Sequence, residues 1–153
     1  MNTNIQEIKD LSIGFKSQKG EQISILRNIT ANIRKGETVG IVGESGSGKS
    51  TLALAMMGYI KHGLFTTGGE CFFKSLDLLK LNNKELVEIR GRKIAMIPQN
   101  AGQALTPNLK IGYQIEEALK LHTDFNKVER EQKISELLNQ VRLPSPKIMA
   151  LRY

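Results

Sequence analysis

The sequence predicts an α/β fold: a phosphate-loop core with an antiparallel β layer at its amino end and the start of a helical subdomain at its carboxyl end. Three observations predict it. Gly43-Glu44-Ser45-Gly46-Ser47-Gly48-Lys49-Ser50 satisfies G-x-x-x-x-G-K-[ST] at every fixed position. Ahead of it, apolar residues alternate with polar ones at the period of half-buried strands. From Ile111 onward they recur at helical spacing instead.

Leu11, Ile13 and Phe15 alternate with polar neighbours. After a Gln18-Lys19-Gly20 turn, Ile23 and Ile25 and then Ile29, Ala31 and Ile33 do the same, which predicts an antiparallel β layer over 1–36. Lys35-Gly36-Glu37 punctuates its end. Thr38-Val39-Gly40-Ile41-Val42 is short, apolar and β-branched, the pattern of a buried parallel strand. After the glycine loop, Leu52, Ala55, Met56 and Met57 predict a helix from about Gly48 to about Ile60. A strand over Gly68–Phe73 follows, then a helix opened by Asn82, with Glu85 placed to complete a capping box. Ile94-Ala95-Met96-Ile97 predicts a second buried strand, stopped by Pro98 because proline cannot donate to a ladder. Gln99 would then stand at the carboxyl end of a strand, where open α/β sheets bind ligands. Ile111, Ile115, Ala118 and Leu119 form one helical face, and Val128, Ile134, Leu137, Leu138 and Val141 another, stopped by Pro144 and Pro146.

The glycine loop has a chemical reason for its spacing. Several backbone N–H groups must converge on a phosphate chain, and Gly43, Gly46 and Gly48 let the backbone curl far enough to present them, together with those of Glu44, Ser45 and Ser47. Lys49 would bring a point charge to the β and γ phosphates and the Ser50 hydroxyl would hold Mg²⁺, while Thr51 continues the helix below. A helix opening at this point adds free N–H groups and a positive dipole end. Strand, loop and helix stand in the order such a site requires.

At 153 residues and 40% hydrophobic, the chain is at most one ordinary domain with enough apolar residues for a core. No run of 18 or more apolar residues occurs, and Met1 to Asp10 carry no signal-peptide pattern, so the chain is expected in the cytosol. The lone cysteine, Cys71, excludes an internal disulfide and reads as a small strand residue. The net charge of +7 raises nucleic-acid binding, but Arg90-Gly91-Arg92-Lys93 and Arg34-Lys35 are short clusters without interleaved aromatics, so none is expected. Asn126-Lys127-Val128-Glu129 approaches the N-K-x-D element that reads guanine. Glutamate replaces aspartate there and the preceding His122-Thr123-Asp124-Phe125 is turn-like, so Asn126 and Glu129 are expected to cap a helix.

With these pieces placed, the chain resembles the ATP-binding subunits of ABC transporters. Gly40 to Thr51 is similar to the phosphate loop of the oligopeptide, dipeptide and nickel importer branch. So are the block Ile89 to Asn100, then Ala104-Leu105-Thr106-Pro107, then Ile111-Gly112-Tyr113-Gln114-Ile115. The resemblance implies a P-loop NTPase (RecA-like) core over 37–105, a helical subdomain beginning in 106–153, and ATP and Mg²⁺ as cofactors. It implies that Gln99 is the Q-loop glutamine, touching Mg²⁺ and the attacking water, with a loop-capping amide as the alternative. It matches Phe15 to the aromatic that stacks on adenine, with an ordinary core or edge phenylalanine as the alternative. Asn100-Ala101 stands where the branch commonly has Asp-Pro after the glutamine.

An L-S-G-G-Q signature and an apolar strand ending in Asp-Glu are absent from the 153 residues, and neither His62 nor His122 matches the family's switch histidine. The expectation is an incomplete domain, its ATP site completed by a second ABC ATPase subunit in a homo- or heterodimer. The fragment is expected to be poorly stable and not to turn over by itself. The implied partners are membrane permease subunits and, indirectly, an extracytoplasmic solute-binding protein, with the chain at the cytoplasmic face of the membrane. A non-transport ABC-type ATPase module and an inactive remnant are the alternatives.

Overall fold

The computed structural model describes residues 4–153, apart from the side chains of residues 101 and 103; the first three residues of the Met1–Asp10 stretch lie outside it. The chain forms two compact units, Met1–Arg90 and Gly91–Tyr153.

The first unit is built on an antiparallel sheet in the order β2-β1-β3-β4. Its strands are β1 (Asn4–Lys16), β2 (Gln22–Arg34), β3 (Leu64–Phe73) and β4 (Leu76–Asp77). The expected turn closes β1 onto β2: the Gly20 N–H donates to the Ser17 carbonyl at 2.9 Å and the Ser17 N–H to the Glu21 carbonyl at 2.8 Å. The β layer is longer than the alternation from Leu11 suggests, because it starts at Asn4. Its inward set changes parity, from Gln6 and Ile8 to Leu11 and Ile13. A one-residue insertion flips every later side chain to the other face, and here the extra residue lies in β1 between Ile8 and Leu11, at left-handed Asp10 (φ 48°). β2 answers with its own extra residue near left-handed Asn28 (φ 48°), and β3 with one between Thr66 and Gly68, beside left-handed Gly69 (φ 85°). Polar side chains tie this level together: Thr30 Oγ1 donates to Asp10 Oδ1 at 3.0 Å, and Ser12 Oγ to Asn28 Oδ1 at 3.0 Å. As a result Leu26 is buried, whereas Ile23 is 42% exposed.

The core gathers Ile8, Leu11, Ile13, Leu26 and Cys71 of the sheet with Leu52 and Ala55 of α1 (Lys49–Ala55). Gln6 is the one buried polar residue among those described. Its amide donates to the Met56 carbonyl at 2.9 Å and to Cys71 Sγ at 3.4 Å. Burial pushes the Cys71 thiol up, which makes it a packing residue in this setting. The helix expected to reach Ile60 ends at Ala55: the Met57 N–H bonds back three residues to Leu54, and Gly58 turns left-handed (φ 70°). There Gly58 lies under Leu78 and under Leu86 of α2 (Asn83–Ile89), whose capping box between Asn82 and Glu85 forms as expected.

Two strand expectations do not hold. Thr38–Val42 and Ile94–Ile97 join no sheet, and Val42 and Ile97 are 96% and 95% exposed. A parallel strand becomes buried only between two others, and the sheet formed by the described residues is antiparallel and does not include these runs.

The second unit holds α3 (Ala101–Ala104), α4 (Ile111–His122), α5 (Lys127–Gln140) and α6 (Pro146–Ala150). The Asn126–Glu129 pair forms a reciprocal capping box, 3.1 and 2.7 Å, so the guanine-like element is a helix cap. α5 ends ahead of the prolines at left-handed Arg142 (φ 57°), and Pro146 opens α6 rather than stopping a helix, since its missing N–H costs nothing in a first turn. Glu116 of α4 pairs with Lys120 at 3.0 Å and with Arg130 of α5 at 3.2 Å. Those two cations, Lys120 foremost, hold its carboxyl below the usual range against the opposing effect of burial. The depressed folded-state pKa makes this contribution present above the unfolded value of about 4.3 and lost as pH falls through the folded value. In thermal melts, Glu116→Gln is expected to shrink the loss of stability between pH 5 and 3, by a few degrees because the cluster is partly exposed. An unchanged acid dependence would remove Glu116 from that role.

Candidate functional site

The glycine loop forms around its own backbone. Ser47 N–H closes a turn on the Glu44 carbonyl at 3.2 Å, Gly46 and Gly48 adopt φ of 82° and 89°, and α1 begins at Lys49. L-residues with a side chain rarely take this conformation. Space sets a second requirement. A Cβ on Gly48 would lie 2.7 Å from Leu26 Cδ2 and 3.3 Å from Ile25, and one on Gly43 would lie 2.8 Å from Ser47 Oγ. The loop is therefore seated on β2 from below, a contact that G-x-x-x-x-G-K-[ST] does not encode.

Lys49 folds back over the loop. Its Nζ donates to the Gly43 carbonyl at 2.8 Å, to the Glu44 carbonyl, and to Ser47 Oγ at 3.3 Å. All three ammonium protons are thus engaged, and a cation stands over the curl of the backbone. No side chain caps α1 and no acidic residue occupies its first turn, so its leading N–H groups and dipole remain available to an anion. Ser50 is exposed on that first turn, Thr51 is half-buried, and Glu44, Ser45 and Gly46 are exposed. Backbone donors, a helix start and the Lys49 ammonium form a donor set suited to a phosphate chain.

Phe15 is half-buried near the end of β1, with Ile23 across from it on β2 and Leu64 on β3. Next to it, Lys16, Gly63, Leu64 and Phe65 line an open hollow of about 520 Å³. In the second unit, Gln99 is exposed and precedes α3. Sequence reasoning gives Gln114 no role of its own, yet its side chain makes three hydrogen bonds to Thr106 and Leu109, after Gln99. No group of three or more His, Cys, Asp or Glu among the described residues could hold a metal, and no described helix is long and apolar enough to cross a membrane.

The chain matches the family model described as ABC transporter over residues 26–151. It is 40% identical over 151 residues to the oligopeptide transport ATP-binding protein OppD of Bacillus subtilis, covering 94% of this chain and 40% of that protein. It is 39% identical over 139 residues to the dipeptide transport ATP-binding protein DppD of Escherichia coli, covering 91% of this chain and 42% of that protein. It therefore spans about two fifths of the length of these relatives. A solved dimeric ATP-binding cassette in a post-hydrolysis state, bound to ADP and Pi, superposes with a TM-score of 0.80 at 29% identity, covering 96% of this chain and 60% of that one.

Proposed function

This chain belongs to the ABC transporter family, and on that premise we propose that it is the ATP-binding, energy-coupling part of an importer for peptides, nickel or a related small solute. The observation that carries the reading is the loop at Gly43–Thr51, with left-handed Gly46 and Gly48 and the Lys49 ammonium over the Gly43 and Glu44 carbonyls. OppD and DppD are named for oligopeptide and dipeptide transport, which supports peptides as the first cargo to test.

In this reading the N–H groups of residues 43–51 and Lys49 hold the phosphates of ATP, and Ser50 and Gln99 hold Mg²⁺. Phe15 stacks on adenine, and the Lys16–Phe65 hollow beside it offers room. When bound, Mg-ATP would supply a phosphoryl group ready for transfer and a divalent charge to offset the phosphates. Lys49 neutralises the phosphate chain and Gln99 orients water. The division proposed from the family is an amino-terminal β layer within 1–36, which β3 and β4 extend, a core within 37–105 and the opening of the helical subdomain in 106–153. A second cassette completes the site, permease subunits receive the motion at the cytoplasmic face of the membrane, and a solute-binding protein delivers cargo on the far side. The dimeric cassette bound to ADP and Pi supports the two-subunit arrangement.

Amide hydrogen exchange of the purified chain with and without Mg-ATP tests the reading. Slower exchange over residues 43–51 at millimolar nucleotide is expected. Unchanged exchange there at saturating nucleotide overturns it.

A further inference from the structure

Thr106 to Leu109 is a short turn between the Gln99 segment and α4, closed by the Leu109 N–H donating to the Thr106 carbonyl at 3.0 Å. The Gln114 side chain grips this turn from α4. Its Oε1 accepts from the Thr106 N–H at 2.9 Å, and its Nε2 donates to the Thr106 carbonyl at 3.1 Å and to the Leu109 carbonyl at 2.8 Å. One amide therefore pairs with both backbone groups of a single residue, as a neighbouring strand would, and ties in the far side of the turn as well. Only a carboxamide offers an acceptor and two donors in one plane. Pro107 takes the second position of this turn, where its fixed φ suits the bend and its missing N–H is not needed, and the Gln114 bonds add to the turn's own.

The start of the same helical turn is also fixed. The Ile111 N–H donates to the Arg152 carbonyl at 2.8 Å. Gly112 is buried where a Cβ would lie 2.8 Å from the Ala150 carbonyl, so α4 and α6 meet backbone to backbone. Between Thr106 and Arg152 there is a chain of hydrogen bonds and close backbone contacts with no long flexible side chain except the Gln114 amide, which is itself bonded three times.

We propose that Gln114 is a positioning residue, which clamps the end of the Gln99 segment to the first turn of α4 so that this turn relays the segment's placement to the α6–Arg152 stretch. The relay's role in ATP-driven motion rests on the proposed function above; the clamp is a property of the second unit alone. Gln114 touches neither nucleotide nor water in this scheme, and acts by holding the backbone that carries Gln99.

Amide exchange of the full chain without nucleotide separates the two readings, each rate taken against the parent chain at the same pH. Gln114→Met keeps the volume and removes the hydrogen bonds. It is expected to speed exchange at Thr106 and at Ile111 by about tenfold, with Ile134 and Leu138 of α5 unchanged. Gln114→Glu keeps the acceptor but turns a carboxylate toward two carbonyl oxygens. It should open Thr106 equally at pH 7 and recover toward the parent rate as pH falls below about 4, where a proton restores one donor. Gln114→Met should show no such recovery.

Unaltered exchange at Thr106 in both variants overturns the clamp. Opening at Thr106 without Ile111 overturns the relay. Equal opening in both variants with no recovery in acid shows a packing role and overturns the hydrogen-bonding assignment. A general rise that includes α5 assigns Gln114 to folding of the whole unit and overturns the positioning role. Failure of Mg-ATP to protect residues 43–51 sinks the proposed function and leaves these nucleotide-free rates unaffected, so the two failures are distinguishable.

Discussion

Lys49→Ala is expected to weaken Mg-ATP binding by roughly 10- to 150-fold. Hydrogen bonds to charged groups contribute about 1.5–3 kcal/mol, and each 1.4 kcal/mol is tenfold in affinity. The ammonium also ties Gly43, Glu44 and Ser47 together, so its removal takes away a phosphate partner and loosens the cradle at once. Isothermal titration of both chains measures the loss. Ser47→Ala separates the two contributions, since it removes only the 3.3 Å contact and leaves the charge in place; less than a tenfold loss is expected from it. A Lys49→Ala chain that binds Mg-ATP within threefold of its parent would falsify the assignment of this loop as the phosphate site.

The largest expected effect on stability comes from one added methyl group at Gly69. A Cβ there would meet the Asp10 carbonyl carbon and oxygen and the Leu11 Cα, all closer than any real contact allows, and these are backbone atoms that cannot rotate away. Its φ of 85° adds a left-handed penalty. Overpacking costs about 1–3 kcal/mol and the conformation about 1–2, so Gly69→Ala should lose roughly 2–5 kcal/mol in urea unfolding. Its neighbour is the control. Gly68 has open space and no positive φ, so Gly68→Ala should change stability by less than about 1 kcal/mol. Similar losses from both substitutions would show that the sheet adapts, and that the three-strand insertion level is not rigid.

That level was also where the sequence was hardest to read. Alternation predicts strands well when it runs unbroken, but Ile8 and Leu11 are three residues apart, and a bulge, here at left-handed Asp10, lets both face inward. The spacing from Ile8 to Leu11 and from Leu26 to Ile29 was the available signal, with Asp10 and Asn28 inside those gaps, residue types that tolerate the conformation. The two capping boxes were legible because they are local: asparagine and glutamate three residues apart satisfy each other's backbone N–H wherever the helix lies. Thr38–Val42 and Ile94–Ile97 were misread for the opposite reason. An apolar β-branched run states a preference for burial, but a ladder needs a second strand to supply its hydrogen bonds.

The sequence by itself determined the phosphate loop, the hairpin turn, both helix caps and the family, because each rests on residue types at short fixed spacing. The tertiary structure alone decided three things. It placed Gly48 against Leu26 and Ile25, so that a second requirement for glycine comes from β2 and not from the nucleotide. It set the insertions of β1, β2 and β3 at one level. It brought the Gln114 amide onto Thr106, eight residues back. The first two depend on where distant backbone comes to lie and the third on how the turn before α4 folds onto that helix, so residue spacing alone specifies none of these contacts.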